Sequence, residues 1–216
     1  MKKTSFIIAA LVAMAAGVWL AQNNHSKPEM KPPGIQGAIY PKARPLLDVK
    51  LIDDQNKSFD LTNLQNQWSL VFVGYTHCPD ICPMTMSVMN QVHDYMTQQE
   101  LKPPQVLFLS VDPERDTIEL LREYVDYFNP EFTGLTGSQD AIKSFSQQLN
   151  VVYQKSPGLS GAITADDYLI DHSSSLLLLN PQGELQSVLT APQLPATIIE
   201  SILKSQTYFE FTQNNR

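Results

Sequence analysis

The chain has 216 residues, 43% of them hydrophobic, and a formal net charge of −7. That length supplies one compact domain with a sizeable core and leaves little room for two. The charge is acidic and no long basic run occurs, which excludes a nucleic-acid binder relying on clustered Lys and Arg.

Lys2 and Lys3 precede an uncharged apolar run from Ser5 to Ala21, and the chain turns polar at Gln22, Asn23 and Asn24. This pattern reads as a secretory signal or an uncleaved anchor. As a helix the run is about 25 Å long against a hydrocarbon core of about 30 Å. Flanking Lys and Gln side chains can cover that deficit by snorkelling. Cleavage at the small-x-small pattern Ala13-Met14-Ala15 leaves half the run behind, and Trp19 suits a membrane interface. An anchor over residues 1–22 is therefore the preferred expectation. It places a single-pass protein in the inner (cytoplasmic) membrane with its domain facing the periplasm.

Residues 23–45 carry Pro28, Pro32, Pro33, Pro41 and Pro45 and are expected to form an extended tether. The domain is expected over residues 46–205, with a polar tail at 206–216. It opens with a hairpin, Leu47 to Ile52 and Ser58 to Leu61, around the turn signal Asp53-Asp54-Gln55-Asn56. Trp68 to Tyr75 is a continuous apolar strand. Met84 to Met96 has helical spacing, with Met84, Val88, Val92 and Met96 on one stripe. Gln105 to Val111 is a second buried strand, and Asp116 to Phe128 an amphipathic helix with Asp116 as its cap. Phe132 to Leu135 reads as a short strand and Ser138 to Leu149 as a helix capped by Ser138. A strand starts at Val151 to Tyr153, and Pro157 to Asp167 reads as an exposed loop. Leu176 to Leu179 and Glu184 to Leu189 flank the turn Asn180-Pro181-Gln182-Gly183, and Ala196 to Lys204 closes the domain as a helix. This order predicts a thioredoxin-like α/β sandwich with an N-terminal hairpin and a C-terminal antiparallel hairpin plus helix. A flavodoxin-like sheet is the rival, and the antiparallel C-terminal hairpin counts against it.

The only two cysteines, Cys78 and Cys82, lie in Gly74-Tyr75-Thr76-His77-Cys78-Pro79-Asp80-Ile81-Cys82-Pro83, where a strand runs into a helix. Cross-linking a loop this short removes little chain entropy, so chemistry explains the pair better than stapling. Pro83 suits a first helical turn, and Cys82 beside the N-cap is expected to be the thiolate through the helix dipole. The pair allows a redox couple, a metal clip or an inert disulfide.

Among the histidines, His25 lies in the tether, His77 is expected to point away from Cys78, and His93 falls mid-helix. His172, just ahead of the Leu176 strand, is the one a thioredoxin-like layout turns toward the cysteines. Two sulfurs and an imidazole suit Cu(I) and also accommodate Cu(II) or Zn(II). Asp80 and Asp171 are weaker candidates for groups that orient or screen the site. Met84, Met86 and Met89 read as core packing.

Three ordered blocks resemble the Sco/SenC family of copper chaperones across about residues 46 to 204. They are the cysteine segment just quoted, Ser110-Val111-Asp112-Pro113-Glu114-Arg115-Asp116-Thr117, and Asp167-Tyr168-Leu169-Ile170-Asp171-His172-Ser173; Asn180-Pro181-Gln182-Gly183-Glu184 extends them. The resemblance implies one copper ion, Cu(I) or Cu(II), bound by Cys78, Cys82 and His172. It also implies delivery of copper to, or thiol reduction at, the dinuclear copper centre of cytochrome c oxidase. The implied partners are the oxidase subunit carrying that centre, other copper chaperones, and the membrane, with no nucleic acid. It further suggests that the loop bearing Asp112 and Asp116 lies near the copper site. A thiol:disulfide oxidoreductase using Cys78 and Cys82, or a copper or redox sensor, is the alternative. A peroxidase of this fold needs an activating arginine, and the cysteine motif itself places none.

Overall fold

The computed structural model describes residues 11–19, 30–165 and 167–215. Residues 11–19 are helical and exposed throughout. The rest of the expected anchor lies outside the described residues, among which no helix is long and apolar enough to cross a membrane.

Among the described residues, ten strands and four α-helices form the domain. In chain order they are β1 (Gly37–Pro45), β2 (Leu51–Asp53), β3 (Ser58–Phe59), β4 (Ser69–Gly74), α1 (Ile81–Gln98), β5 (Gln105–Ser110), α2 (Ile118–Phe128), β6 (Thr133–Thr136), α3 (Gln139–Gln148), β7 (Tyr153–Pro157), β8 (Tyr168–His172), β9 (Leu176–Leu179), β10 (Glu184–Leu189) and α4 (Pro195–Asn214). Eight strands make one mixed sheet in the order β1-β10-β9-β4-β5-β6-β2-β3, and β7 pairs with β8 in a separate ribbon. At the centre β4, β5 and β6 run parallel, with Val71 beside Leu107 and Phe108 beside Gly134. Strand β9 then adds antiparallel to β4, as the C-terminal hairpin predicts. This is the thioredoxin-like arrangement.

All six residues of β4 are buried, which is why Leu70, Val71, Phe72 and Val73 form a continuous apolar run instead of alternating. The tight β9–β10 connection depends on Gly183, whose φ of 74° only glycine adopts freely. Ser138 and Thr117 cap α3 and α2 by accepting the amides of Ala141 and Leu120, contacts worth about 1 kcal/mol each.

Three expectations are corrected. The tether ends earlier than its prolines suggest, because Gly37–Pro45 forms β1 and pairs antiparallel with β10. Strand β1 is the sheet edge and carries a register shift between Ile39 and Arg44. Edge position and irregular pairing are what let a strand contain Pro41, which has no amide to donate. The expected polar tail is helical, since α4 continues to Asn214 and buries Ser205 and Tyr208 on the way. Finally, Asp116 is not the cap of α2; that role belongs to Thr117.

Candidate metal centre

Strand β4 ends at Gly74, and a short turn bearing Cys78 leads into α1, whose N-cap is Asp80. Cys82 is therefore the second helical residue, and it points inward: it is fully buried, whereas Cys78 is partly exposed. The space for its sulfur is made by Gly74. A Cβ there would stand 2.7 Å from Cys82 Sγ and 2.8 Å from Phe108 Cε2, both well inside contact distance. The sequence carries no pattern that reveals this requirement.

His172 arrives from the other side as the last residue of β8, paired with Tyr153 of β7. Its Nε2 lies 3.5 Å from Cys82 Sγ, and its ring stands edge-on to Phe72 and Tyr75. Nδ1 lies 3.1 Å from the Ser173 carbonyl, which accepts a hydrogen bond from it; in the neutral ring this leaves Nε2 with the free lone pair. The ligand atoms of Cys78, Cys82 and His172 all lie within 4.8 Å of one another, forming a potential three-ligand metal site among the described residues.

The two thiols are electrostatically unlike, and in the opposite sense from the sequence expectation. Cys78 is pulled down to about 3, first by the Cys82 thiol that donates to it, and also by the amides of Asp80 and Cys82, against the opposing effect of burial. The Cys82 amide lies 3.5 Å from Cys78 Sγ. The start of α1 thus does stabilise a thiolate, but on the cysteine before the helix. Cys82 is pushed up by its bond to Cys78 and by burial, so it holds the proton. One sulfur is pre-ionised at the surface and the other is a protonated reserve beneath it.

The other histidines stand apart from this cluster. His77 Nδ1 turns to Thr76 Oγ1 at 3.0 Å and to Asp116 Oδ1 at 3.3 Å. His93 is buried edge-on to Phe132 and lies 3.4 Å from Asn129 Nδ2. His25 lies outside the described residues. Met86 and Met89 are fully buried, as core packing requires, but Met84 is 58% exposed and leaves the apolar stripe. The helical stripe turns instead through Cys82, Thr85, Met86, Met89, Val92, His93 and Met96. Asp80 and Asp171 are exposed. The contact that orients His172 comes from the Ser173 backbone instead.

The polar residues beside the site are Asp112, Arg115 and Asp116. Asp112 and Asp116 are buried, and Arg115 reaches both Asp112 and the Tyr168 carbonyl. Sequence reading singled out both aspartates. The part played by Arg115 and Tyr168 was visible only as membership in the two motif blocks.

The model of the SCO1/SenC family matches residues 43–207. The chain belongs to the SCO1/SenC family. It is 31% identical over 212 residues to the mitochondrial protein SCO2 homolog of Bos taurus, covering 96% of this chain and 77% of the relative. It is 34% identical over 183 residues to the human SCO2 homolog, covering 84% and 67% respectively. Among solved structures, copper-bound Arabidopsis thaliana ScoI superposes with a TM-score of 0.67 at 30% identity, covering 80% of this chain and 98% of that one. Copper-bound yeast Sco1 gives 0.66 at 27% identity, covering 79% and 88%. Family membership and the convergence of two thiols with one imidazole thus come from independent observations.

Proposed function

We propose that this SCO1/SenC protein binds one copper ion through Cys78, Cys82 and His172 and serves the assembly of cytochrome c oxidase. The observation that carries the reading is the gathering of three soft or borderline donors, from two distant chain segments, within 4.8 Å. Two sulfurs with one neutral imidazole suit copper, and they leave coordination positions open for an incoming ligand. Cys78 is already a thiolate, so only the Cys82 proton must leave when the ion enters. The copper-bound relatives support the choice of metal.

Copper here is cargo. Ligand exchange moves it: donors on the oxidase subunit that houses the dinuclear copper centre replace those of this chain one at a time. Cys78 is the more accessible sulfur and would meet the partner first. Residues 1–22 anchor the chain in the inner membrane in this reading, with the domain on the periplasmic side near its partner.

A second reading follows from the split between the thiols. The Cys78 thiolate can attack a partner disulfide and displace one partner sulfur, forming a mixed disulfide. Cys82, once deprotonated, then attacks Cys78 and releases the second partner thiolate. The partner gains two electrons and this chain ends as the Cys78–Cys82 disulfide. Such a reductase would prepare the oxidase cysteines for copper.

Copper titration of the full chain in detergent, with the Cys78→Ser, Cys82→Ser and His172→Ala variants, tests the first reading. One equivalent bound by wild type and weakened binding in all three variants is the expected result. A wild-type chain that holds no copper overturns it. Turnover on an oxidised partner peptide that survives His172→Ala but not Cys78→Ser would favour the second.

A further inference from the structure

Between β5 and α2, the loop from Ser110 to Asp116 touches both halves of the proposed copper site. One contact runs to the cysteine-bearing turn. Asp116 has a side chain of 0% exposure, and its carboxylate accepts the Thr76 amide at 2.9 Å, the Thr76 hydroxyl at 2.6 Å and the Ser110 hydroxyl at 2.6 Å. Thr76 lies two residues before Cys78. A buried carboxylate is tolerated only when its lone pairs are filled, so this one fixes the turn's backbone strongly.

The other contact runs to β8. Arg115 donates from Nε to Asp112 at 2.6 Å and from Nη1 to the Tyr168 carbonyl at 3.1 Å, and its guanidinium lies 3.5 Å over the Tyr168 ring. The Tyr168 hydroxyl donates back to Asp112 at 2.5 Å. Tyr168 and His172 are four residues apart on one strand and so share a face. The two contacts are joined inside the loop, where the Asp116 amide donates to the Asp112 carbonyl at 2.9 Å and the Asp112 amide to Ser110 Oγ at 3.1 Å.

We propose that the Ser110–Asp116 loop is a positioning element that sets the distance between the cysteine pair and His172, Asp116 holding the former and the Asp112–Arg115 pair the latter. The strands themselves do not supply that distance. Strand β8 belongs to the separate β7–β8 ribbon, while the cysteine turn leaves the main sheet. The proposal rests on the copper-binding reading for its function but on apo geometry for its structure.

The test uses the full chain in detergent with Asp116→Asn and Tyr168→Phe, and Asp54→Asn as a control. Asp54 is also a buried carboxylate, but it accepts the Gly134 amide at 2.7 Å, away from the site. Asp116→Asn should lower copper affinity about tenfold and shift the Cu(II)–thiolate absorption, while keeping the nitrogen hyperfine coupling of His172. Tyr168→Phe should weaken the nitrogen coupling and leave the thiolate absorption in place. Asp54→Asn should lower the melting temperature without either spectral change. In the metal-free chain, exchange of the Thr76 amide should quicken about tenfold in Asp116→Asn and not in Tyr168→Phe.

Wild-type spectra and affinity in both site variants would overturn the proposal, as would effects that follow melting temperature in the same proportion as Asp54→Asn. Unchanged Thr76 exchange in Asp116→Asn would overturn its cysteine half even if the spectra moved. If wild type binds no copper, the functional reading fails separately, and metal-free exchange at Thr76 with the His172 ring shifts in Tyr168→Phe then decides the positioning claim alone.

Discussion

His172 Nε2 lies 3.5 Å from Cys82 Sγ although ninety residues separate them in the chain. The approach joins the end of the β7–β8 ribbon to the first turn of α1. It also fixes which ring nitrogen is available, because Nδ1 faces the Ser173 carbonyl. Candidate donors assembled this way are held by the fold, and they can be removed one at a time without unravelling a single loop.

His172→Ala should therefore leave the domain folded while reducing copper affinity by more than the roughly 10- to 100-fold typical of losing an outer hydrogen-bond partner. Competition titration against a chelator of known affinity, beside a thermal melt, checks this. Wild-type affinity in the variant would remove His172 from the site and leave the cysteines in place.

The thiol pair predicts an unusual pH profile for alkylation. Cys78 is drawn down to about 3 by the Cys82 thiol that donates to it, so it is fully ionised from mild acid upward. Only the thiolate reacts. Its modification rate with iodoacetamide should stay within about twofold from pH 5 to 8, where a thiol of ordinary pKa near 8.5 gains about tenfold per unit. Cys82, buried and pushed up, should remain unmodified in the folded chain. Mass spectrometry of a timed reaction reads both sites. A tenfold rise per pH unit at Cys78 would contradict the assigned proton positions.

Gly74→Ala places a methyl group 2.7 Å from Cys82 Sγ and 2.8 Å from the Phe108 ring. The buried strand gives little room, so overpacking should cost about 1–3 kcal/mol in denaturant unfolding. The substitution should also weaken copper binding, because the sulfur is the nearest atom able to move. Loss of stability with wild-type copper affinity would show that Phe108 yields instead.

Strand β1 predicts where a stable fragment must begin. Ile39 and Ala43 are buried there, and the strand covers the outer edge of β10. Removing residues 1–45 should cost roughly 3 kcal/mol or more, since burying one large aliphatic side chain alone contributes about 1.5–3 kcal/mol. It should also promote association through the exposed edge. A fragment starting at residue 30 should keep the stability of the intact domain. Equal melting temperatures for the two fragments would mean that β1 adds nothing to the fold.

Much of the fold was legible because burial and chain direction leave local marks. The apolar runs of β4 and β5 announce strands covered on both faces, and Asn180-Pro181-Gln182-Gly183 announces a reversal. Strand β1 was illegible because its prolines carry the composition of a linker. Pairing along a sheet edge demands amides on one side only, and no local pattern records that allowance. Strand β7 was legible as the strand that starts at Val151 to Tyr153, but its partner β8 was not, because it is only five residues long and ends in the polar pair Asp171-His172.

The sequence by itself determined which candidate donors this protein offers. Two cysteines four residues apart at a strand-to-helix junction, with His172 in a separate motif, are those of the proposed site. The tertiary structure decided how those atoms are prepared. It buried Cys82 against Gly74 and aimed the first amides of α1 at Cys78, so the charge resides on the cysteine outside the helix. It also tied Asp116 to Thr76 and Arg115 to Tyr168. Residue type and spacing set which donors exist, but ionisation and mutual distance depend on burial and on contacts between remote segments.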